Sequence, residues 1–417
     1  MAHDQGSGQT IELNITDVAH GGVFVGRHEG RVVFVPDTLP GERVRVTVTQ
    51  NDKRYWRGEL HEVLEASPHR RPHVWPQADI HTLPDRRPGG ADFGHIELAE
   101  QRRLKLHVLC DALQRFGGMP DAAASMTGAS PVVSRDGDVL ADETADGTGW
   151  RTRVSLHVDA HGRIGPFATR SHRVVTVDAL PLATPEIAVA ARELRDRPAG
   201  RIDLVQPADG RVRVIDRPDA GPRHGDAARE TIVERVGGRE FRVDAGGFWQ
   251  VHRLAAHTLT EAVKRIMQKK HPDGVIPHSG GVFLDPDAWH LDLYGGVGLF
   301  AATLGDLAGP AARITTVESD RRATAHAEAN LVGFTRARAE TGRVDRWLAR
   351  RTAQATAFER DRLRHGVIVL DPPRAGAGRD VVEQIVALGP ASIVYVACDP
   401  VALARDLGAF RALGYQT

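Results

Sequence analysis

Leu291-Asp-Leu-Tyr-Gly-Gly-Val-Gly-Leu-Phe300 is the stretch that sets the fold of the C-terminal half. A strand-like run from His290 to Tyr294 meets Gly295, Gly296 and Gly298, and a helical pattern follows over Gly298 to Leu307. Glycine lets a backbone approach a ligand closely, and a helix N-terminus offers unpaired N–H groups. Outward from this turn, strand-like runs at Arg313–Glu318, Gly366–Leu370 and Ser392–Ala397 alternate with helical patterns at 322–332, 379–388 and 401–413. Mostly apolar strands alternating with helices predict a buried, mostly parallel sheet in a doubly wound, Rossmann-like α/β domain.

Glu318 ends the second of these strands, where a carboxylate is placed to hydrogen-bond ribose hydroxyls. Gly296-x-Gly298-x-x-Ala301 also fits the dinucleotide fingerprint, so the loop predicts a nucleoside cofactor and leaves a nicotinamide oxidoreductase open. The later strand ends discriminate. Asp371-Pro-Pro-Arg374 follows Leu370, and Cys398-Asp-Pro400 follows the next strand, both at the carboxyl edge where open α/β sheets bind ligands. A nicotinamide enzyme needs no cysteine there. A pyrimidine C5 methyltransferase does, because C5 of uracil is a poor nucleophile until a thiolate adds at C6 and builds an enolate. A lone cysteine more commonly packs as a small hydrophobe, and Cys110, on an apolar helix pattern, keeps that reading.

Upstream, residues 10–67 read as five short strands: Ile11–Ile15, Gly22–Gly26, Arg31–Val35, Arg43–Val48 and Trp56 through Val63, separated by Gly- and Pro-bearing breaks. That density predicts a small OB-like barrel. Lys53-Arg54-Tyr55-Trp56-Arg57 interleaves cations with aromatics, as an RNA-contacting loop requires, although a barrel with no ligand is an equally ordinary reading. Residues 68–90 read as irregular linker, 97–116 as a helix and 121–130 as a loop of small residues. Strands are expected at 151–158, 174–177 and 202–205, and helices at 185–195 and 251–269, giving a mixed α+β central region over 68–240.

Composition bounds the rest. The 417 residues suffice for two or three domains, and 41% hydrophobic content describes an ordinary globular chain. The polar tail over 1–9 carries no signal-peptide pattern, and no apolar run approaches a membrane span, so a cytoplasmic protein without membrane contact is expected. With Cys110 and Cys398 as the only cysteines, a disulfide framework or a four-cysteine metal site is excluded. Net charge is zero, so any nucleic-acid face must come from local clustering. Of the 54 basic residues only positions 53, 105, 264, 269 and 270 are lysine, a skew attributed to genome composition.

Taken together these motifs resemble the RNA (uracil-5-)methyltransferase family over nearly the whole chain. The barrel resembles the family's RNA-binding TRAM domain. Phe248-Trp-Gln-Val-His252 resembles Phe-x-Gln-Val-Asn, which implies a cofactor role for Gln250. Asp292–Phe300 resembles Asp-Leu-Tyr-Cys-Gly-x-Gly-Asn-Phe, which implies S-adenosylmethionine binding by Tyr294, Gly295, Gly296 and Gly298, with Glu318. Asp371-Pro-Pro-Arg-Ala-Gly376 matches directly and implies that Asp371 holds uracil or cofactor; Tyr395–Asp406 resembles the nucleophile motif around Cys398. The implied substrate is structured RNA, with 23S rRNA favoured and tRNA the alternative, and the chain is expected to be a monomer.

The departures carry expectations too. Many members hold an iron–sulfur cluster on four cysteines, including a Cys-Gly-Gly-Cys run; here Pro88-Gly-Gly-Ala91 stands in its place, so no cluster is expected and packing must hold the linker. Leu299 replaces the cofactor-loop Asn, and the polar residue expected after the third strand is not evident around Glu340–Asp345. The methyltransferase domain, 241–417, stops at Tyr415-Gln-Thr417, before two further strands and a His-His-Val-Glu stretch whose glutamate is the implied base at C5. Either the sequence is a fragment that stops short of this base, or the natural protein lacks it; in the second case methyl transfer is expected to proceed and release from Cys398 to stall. A protein that binds RNA and cofactor without turnover, and methylation of another atom, are the competing functions.

Overall fold

A computed structural model of the chain describes residues 8–129, 146–220, 226–268 and 284–416. The expected helix end at Lys269 lies outside these residues. Strands β1 (Thr10–Val18), β2 (Phe24–His28), β3 (Arg31–Val35), β4 (Arg43–Asn51) and β5 (Tyr55–Glu65) close a barrel in the order β1-β2-β3-β5-β4. Strict alternation produces it: Ile11, Leu13 and Ile15 point inward along β1, and Val44, Val46 and Val48 along β4, with polar residues between them. All pairings are antiparallel except β3 with β5.

Helix α1 (Leu98–Gly117) ends where Gly118 takes a left-handed conformation, φ 61°. Of the loop expected over 121–130, residues 121–125 belong to helix α2 (Pro120–Ser125), started by a proline at the first helical position, and Ser130 lies outside the described residues. Strands β6 (Arg153–Val158) and β7 (Ile164–Gly165), helix α3 (Pro185–Arg192), and strands β8 (Gly200–Val205) and β9 (Arg213–Pro218) follow, the strands forming an antiparallel sheet in the order β7-β6-β8-β9. The strand expected at 174–177 is only an isolated bridge between Phe167 and Val174. A hairpin of β10 (Thr231–Val236) and β11 (Arg239–Asp244) leads to helix α4 (Ala255–Gln268).

The C-terminal region runs β12 (Trp289–Leu293), α5 (Leu299–Ala308), β13 (Arg313–Glu318), α6 (Arg321–Asn330), β14 (Ala337–Thr341), α7 (Val344–Gln354), α8 (Ala357–Arg364), β15 (Val367–Leu370), α9 (Arg379–Leu388), β16 (Ser392–Tyr395) and α10 (Pro400–Ala412). The sheet is parallel throughout, in the order β14-β13-β12-β15-β16. Its two faces are read off β15. Val367 and Val369 pack with α5, whereas Ile368 and Leu370 pack with α7, α9 and Phe410 of α10. The fold is therefore a doubly wound, Rossmann-like sheet behind a barrel and a mixed central layer. Strand order reverses beside β12, which opens a crevice at the carboxyl ends of β12 and β15. Among the described residues no helix is long and apolar enough to cross a membrane.

Candidate active site

The glycine loop owes its shape to packing beneath it. A Cβ on Gly295 would lie 1.9 Å from the Thr316 hydroxyl and 2.6 Å from Asp292 Oδ2, so only glycine fits. Tyr294 just before it has φ 62°, a left-handed conformation costly for a bulky residue and typical of functional turns. Gly298, φ 87°, caps α5. By contrast a Cβ on Gly296 meets nothing within 4 Å, which leaves open space above the loop.

Asp292 lies fully buried under that loop. Its Oδ2 accepts from the Ala301 amide at 2.9 Å and the Thr316 hydroxyl at 3.1 Å, while Oδ1 has no partner. Desolvation pushes its pKa up to about 7, and the nearby Asp371 and Glu318 charges push the same way. Glu318 turns back on the loop: Oε2 accepts from the Gly296 amide at 3.2 Å and Oε1 from the Asp320 amide at 2.8 Å. Open space above Gly296, an orphaned buried oxygen and a carboxylate at the end of β13 fit a nucleoside cofactor.

Gln250 is half-buried and lies in the chain between Trp249 and Val251. Trp249 is buried in the apolar cluster that contains Val297 of the glycine loop, while Phe248 is 77% exposed. Asn330, which sequence reasoning passed over, bolts the same region together: its side chain donates to Val297 O at 2.9 Å and Arg242 O at 3.0 Å and accepts from the Arg242 amide at 2.8 Å. An Asn in the last turn of a helix carries no sequence signal of that role.

Asp371 and Cys398 emerge at adjacent strand ends, since Leu370 pairs with Tyr395 and the Val396 amide donates to Leu370 O at 2.9 Å. Burial lifts the Asp371 pKa to about 6. Cys398 is exposed, whereas Cys110 is half-buried on α1 with its thiol toward Ala123 O at 3.5 Å. Asp399 caps α10 through the Ala402 amide at 2.8 Å. Asp406, one of the residues of the Cys398 motif, accepts from the Tyr395 hydroxyl at 2.6 Å and the Ala377 amide at 2.7 Å, tying α10 to the Asp371 loop. The charge of Asp406 is one reason the Tyr395 phenol is held far above its ordinary range, after burial.

A cleft of about 500 Å³ opens at Cys398. Its walls include Lys105 and Val108 of α1 and, from the barrel, His20, Gly21 and Gly22. In the sequence these three stand only at a break between strands and at the start of the second one. The predicted RNA cluster divides by strand alternation. Lys53, Arg54 and Arg57 are exposed and Tyr55 partly so, but Trp56 points into the barrel at 7% exposure, beneath Arg31 at 5.1 Å. Trp56 therefore offers no open face to a base. Phe34 takes its place beside Tyr55, ring centroids 5.6 Å apart, with the Arg57 guanidinium 5.9 Å from Phe34 and 5.6 Å from Tyr55.

The linker is held by ion pairs as well as packing. Glu42, fully buried, takes two bonds from Arg70 at 2.5 and 2.9 Å, and Arg87 pairs with Asp37 at 2.9 Å. Glu340 is accounted for too: it accepts from the Trp347 indole at 2.6 Å on the edge strand β14.

Comparison with known proteins agrees with this geometry. Residues 5–61 match the TRAM domain family. A Streptomyces avermitilis protein described as an RNA methyltransferase is 40% identical over 98% of this chain and 93% of its own length. The 23S rRNA (uracil(1939)-C(5))-methyltransferase RlmD of Halomonas elongata is 30% identical over 98% of this chain and 85% of its own. The chain belongs to the RNA (uracil-5-)methyltransferase family. Its fold is shared with the Pyrococcus abyssi tRNA (uracil-54, C5)-methyltransferase, solved with S-adenosyl-L-homocysteine, at TM-score 0.63 and 18% identity over 97% of this chain and 93% of that one. As an RNA (uracil-5-)methyltransferase the chain is an S-adenosylmethionine-dependent enzyme acting on RNA.

Proposed function

We propose that this methyltransferase modifies uridine C5 in 23S rRNA through a covalent adduct on Cys398. The observation that carries the reading is an exposed cysteine at the end of β16, adjoining the Asp371 strand end, in a cleft walled by the RNA-binding barrel. The rRNA assignment rests on the relative from Halomonas elongata; tRNA is the second reading. The work divides among a barrel (10–67) that grips RNA, a linker and central layer (68–240), and a methyl-transfer unit (241–417).

S-adenosylmethionine supplies an electrophilic methyl group. Tyr294, Gly295, Gly296, Gly298, Glu318 and Gln250 hold it at the carboxyl edge of the sheet. Lys53, Arg54 and Arg57 neutralise phosphates, while Tyr55 with Phe34 offers a stacking face. The Cys398 thiolate forms a bond to C6 of uridine, and the C5–C6 electron pair moves to the C4 oxygen, leaving an enolate. The Asp371 carboxylate accepts the N3–H of the base and orients it. Once the enolate pair has formed the C5–CH3 bond, the electrons of the methyl group's former bond staying on the donor's sulfur, loss of the C5 proton to a base re-forms the double bond and expels the thiolate.

RNA carrying 5-fluorouridine tests the adduct, because fluorine at C5 cannot leave as a proton does. Wild-type protein should yield an RNA–protein band that survives denaturing electrophoresis, and Cys398→Ala none. A Cys398→Ala protein that still methylates uridine C5 at the wild-type rate would remove the nucleophile assignment.

A further inference from the structure

The cleft at Cys398 joins two parts of the chain that are far apart in sequence. Helix α1 makes one attachment. Leu104 belongs to the barrel's core, and Ala112 and Leu113, further along the same helix, pack with Ala404 of α10. Near its end the helix backbones almost touch, since a Cβ on Gly408 would lie 3.2 Å from Gly117 O. The second attachment is direct. His20, in the turn between β1 and β2, places Nε2 3.1 Å from Asp399 Oδ2, while Oδ1 of the same carboxylate caps α10. Asp399 follows Cys398 in the chain. The turn is kept low by Gly21 and Gly22, φ 84° and 77°; a Cβ on Gly22 would press on the Phe93 ring at 3.1 Å.

We propose that His20 is a positioning residue, which latches the RNA-gripping barrel to the turn that carries Cys398. The inference rests on Cys398 being the nucleophile. His20 is about half exposed, so as a surface contact it adds little to stability. Its effect is geometric. α1 and the latch both line the same cleft, so they fix the separation between RNA held on the barrel and the thiol. Attack at C6 needs reacting atoms held within a few tenths of an ångström, and a slack wall costs rate without costing affinity.

Single-turnover methylation, RNA binding and cofactor binding are measured for His20→Ala, His20→Gln and Asp399→Asn. His20→Ala should slow the methyl-transfer step by about tenfold, with both dissociation constants within about twofold of wild type. His20→Gln, whose amide can still donate to Asp399, should recover most of the rate. The double variant His20→Ala/Asp399→Asn should be no slower than the slower single variant. Equal loss of RNA affinity and rate would make His20 an RNA contact instead and overturn the proposal, as would an unchanged rate. Hydrogen exchange gives a readout that needs no turnover: His20→Ala should speed exchange at residues 19–23 and 399–402 together, and no change at either overturns the latch. Cys398→Ala, run alongside, reports on the nucleophile separately. If it methylates normally while His20→Ala still loosens both segments, the functional reading fails and the latch stands.

Discussion

Burial sets the behaviour of single carboxyls at this site, and two of them give opposite tests. Asp371 is lifted to about 6, so its carboxylate form is lost as pH falls through that value. If the carboxylate accepts the uracil N3–H, kcat/KM should rise with pH through about 6; Asp371→Asn should lie roughly 100-fold lower and lack that limb, read from steady-state rates across pH 5–8. Asp292 is a stability group. Its folded pKa, about 7, stands above the ordinary aspartate value, so its contribution is complete below about 4 and lost as pH rises through 7. Other carboxylates, such as Asp244 and Asp203, are depressed and act in the opposite sense. The difference between wild type and Asp292→Asn therefore isolates the effect: the Tm advantage of wild type should shrink from pH 4 to pH 8. A constant difference would mean that the buried carboxyl does not titrate in this range.

Elements were legible where burial on both faces left an apolar run, as in β15, or a run of β-branched residues, as in β13. They were not legible where a strand lies at an edge or carries its partners as charges. β14 reads Ala-Arg-Ala-Glu-Thr because only one side of it has a neighbour, and β9 carries Asp216 and Arg217, which pair with Arg197, Asp203 and Gly246. The strand-end residues Asp371 and Cys398 were readable because their chemistry is local to a turn. Asn330 and His20 were not, since each acts on backbone or side chain far away in sequence. Asp406 lies between these cases: it was visible in the motif, but its bond to the Ala377 amide needs the structure. Asp406→Ala takes the acceptor from the Tyr395 hydroxyl and leaves the Ala377 amide with that hydroxyl alone, which should cost about 1–3 kcal/mol in chemical denaturation. It should also slow methylation more than Asp406→Asn, because the Asp371 loop loses its anchor on α10; equal rates for the two variants would count against that anchor.

At the scale of the whole chain, α1 is the beam on which barrel and sheet are mounted, and near its end its contact with α10 is backbone on backbone. Gly117 and Gly408 permit it: a Cβ at 117 would lie 3.0 Å from Ala404 O, and one at 408 would lie 3.4 Å from the Gly117 Cα. Backbone cannot rotate away as a side chain can, so a branched residue there must push the helices apart. Gly408→Val should lower stability by about 1–3 kcal/mol in chemical denaturation. The larger consequence should be on chemistry, since the displacement moves the Cys398 turn relative to RNA held on Tyr55 and Arg57. In the proposed reading the cofactor is held by Gly296, in the loop after β12, and Glu318, at the end of β13, both away from that seam, so its binding should persist. A variant that still binds S-adenosylmethionine and RNA separately but transfers no methyl group would establish α1 as the element that aligns the two halves. If cofactor affinity fell in step with activity, the seam would instead be part of the sheet's own folding.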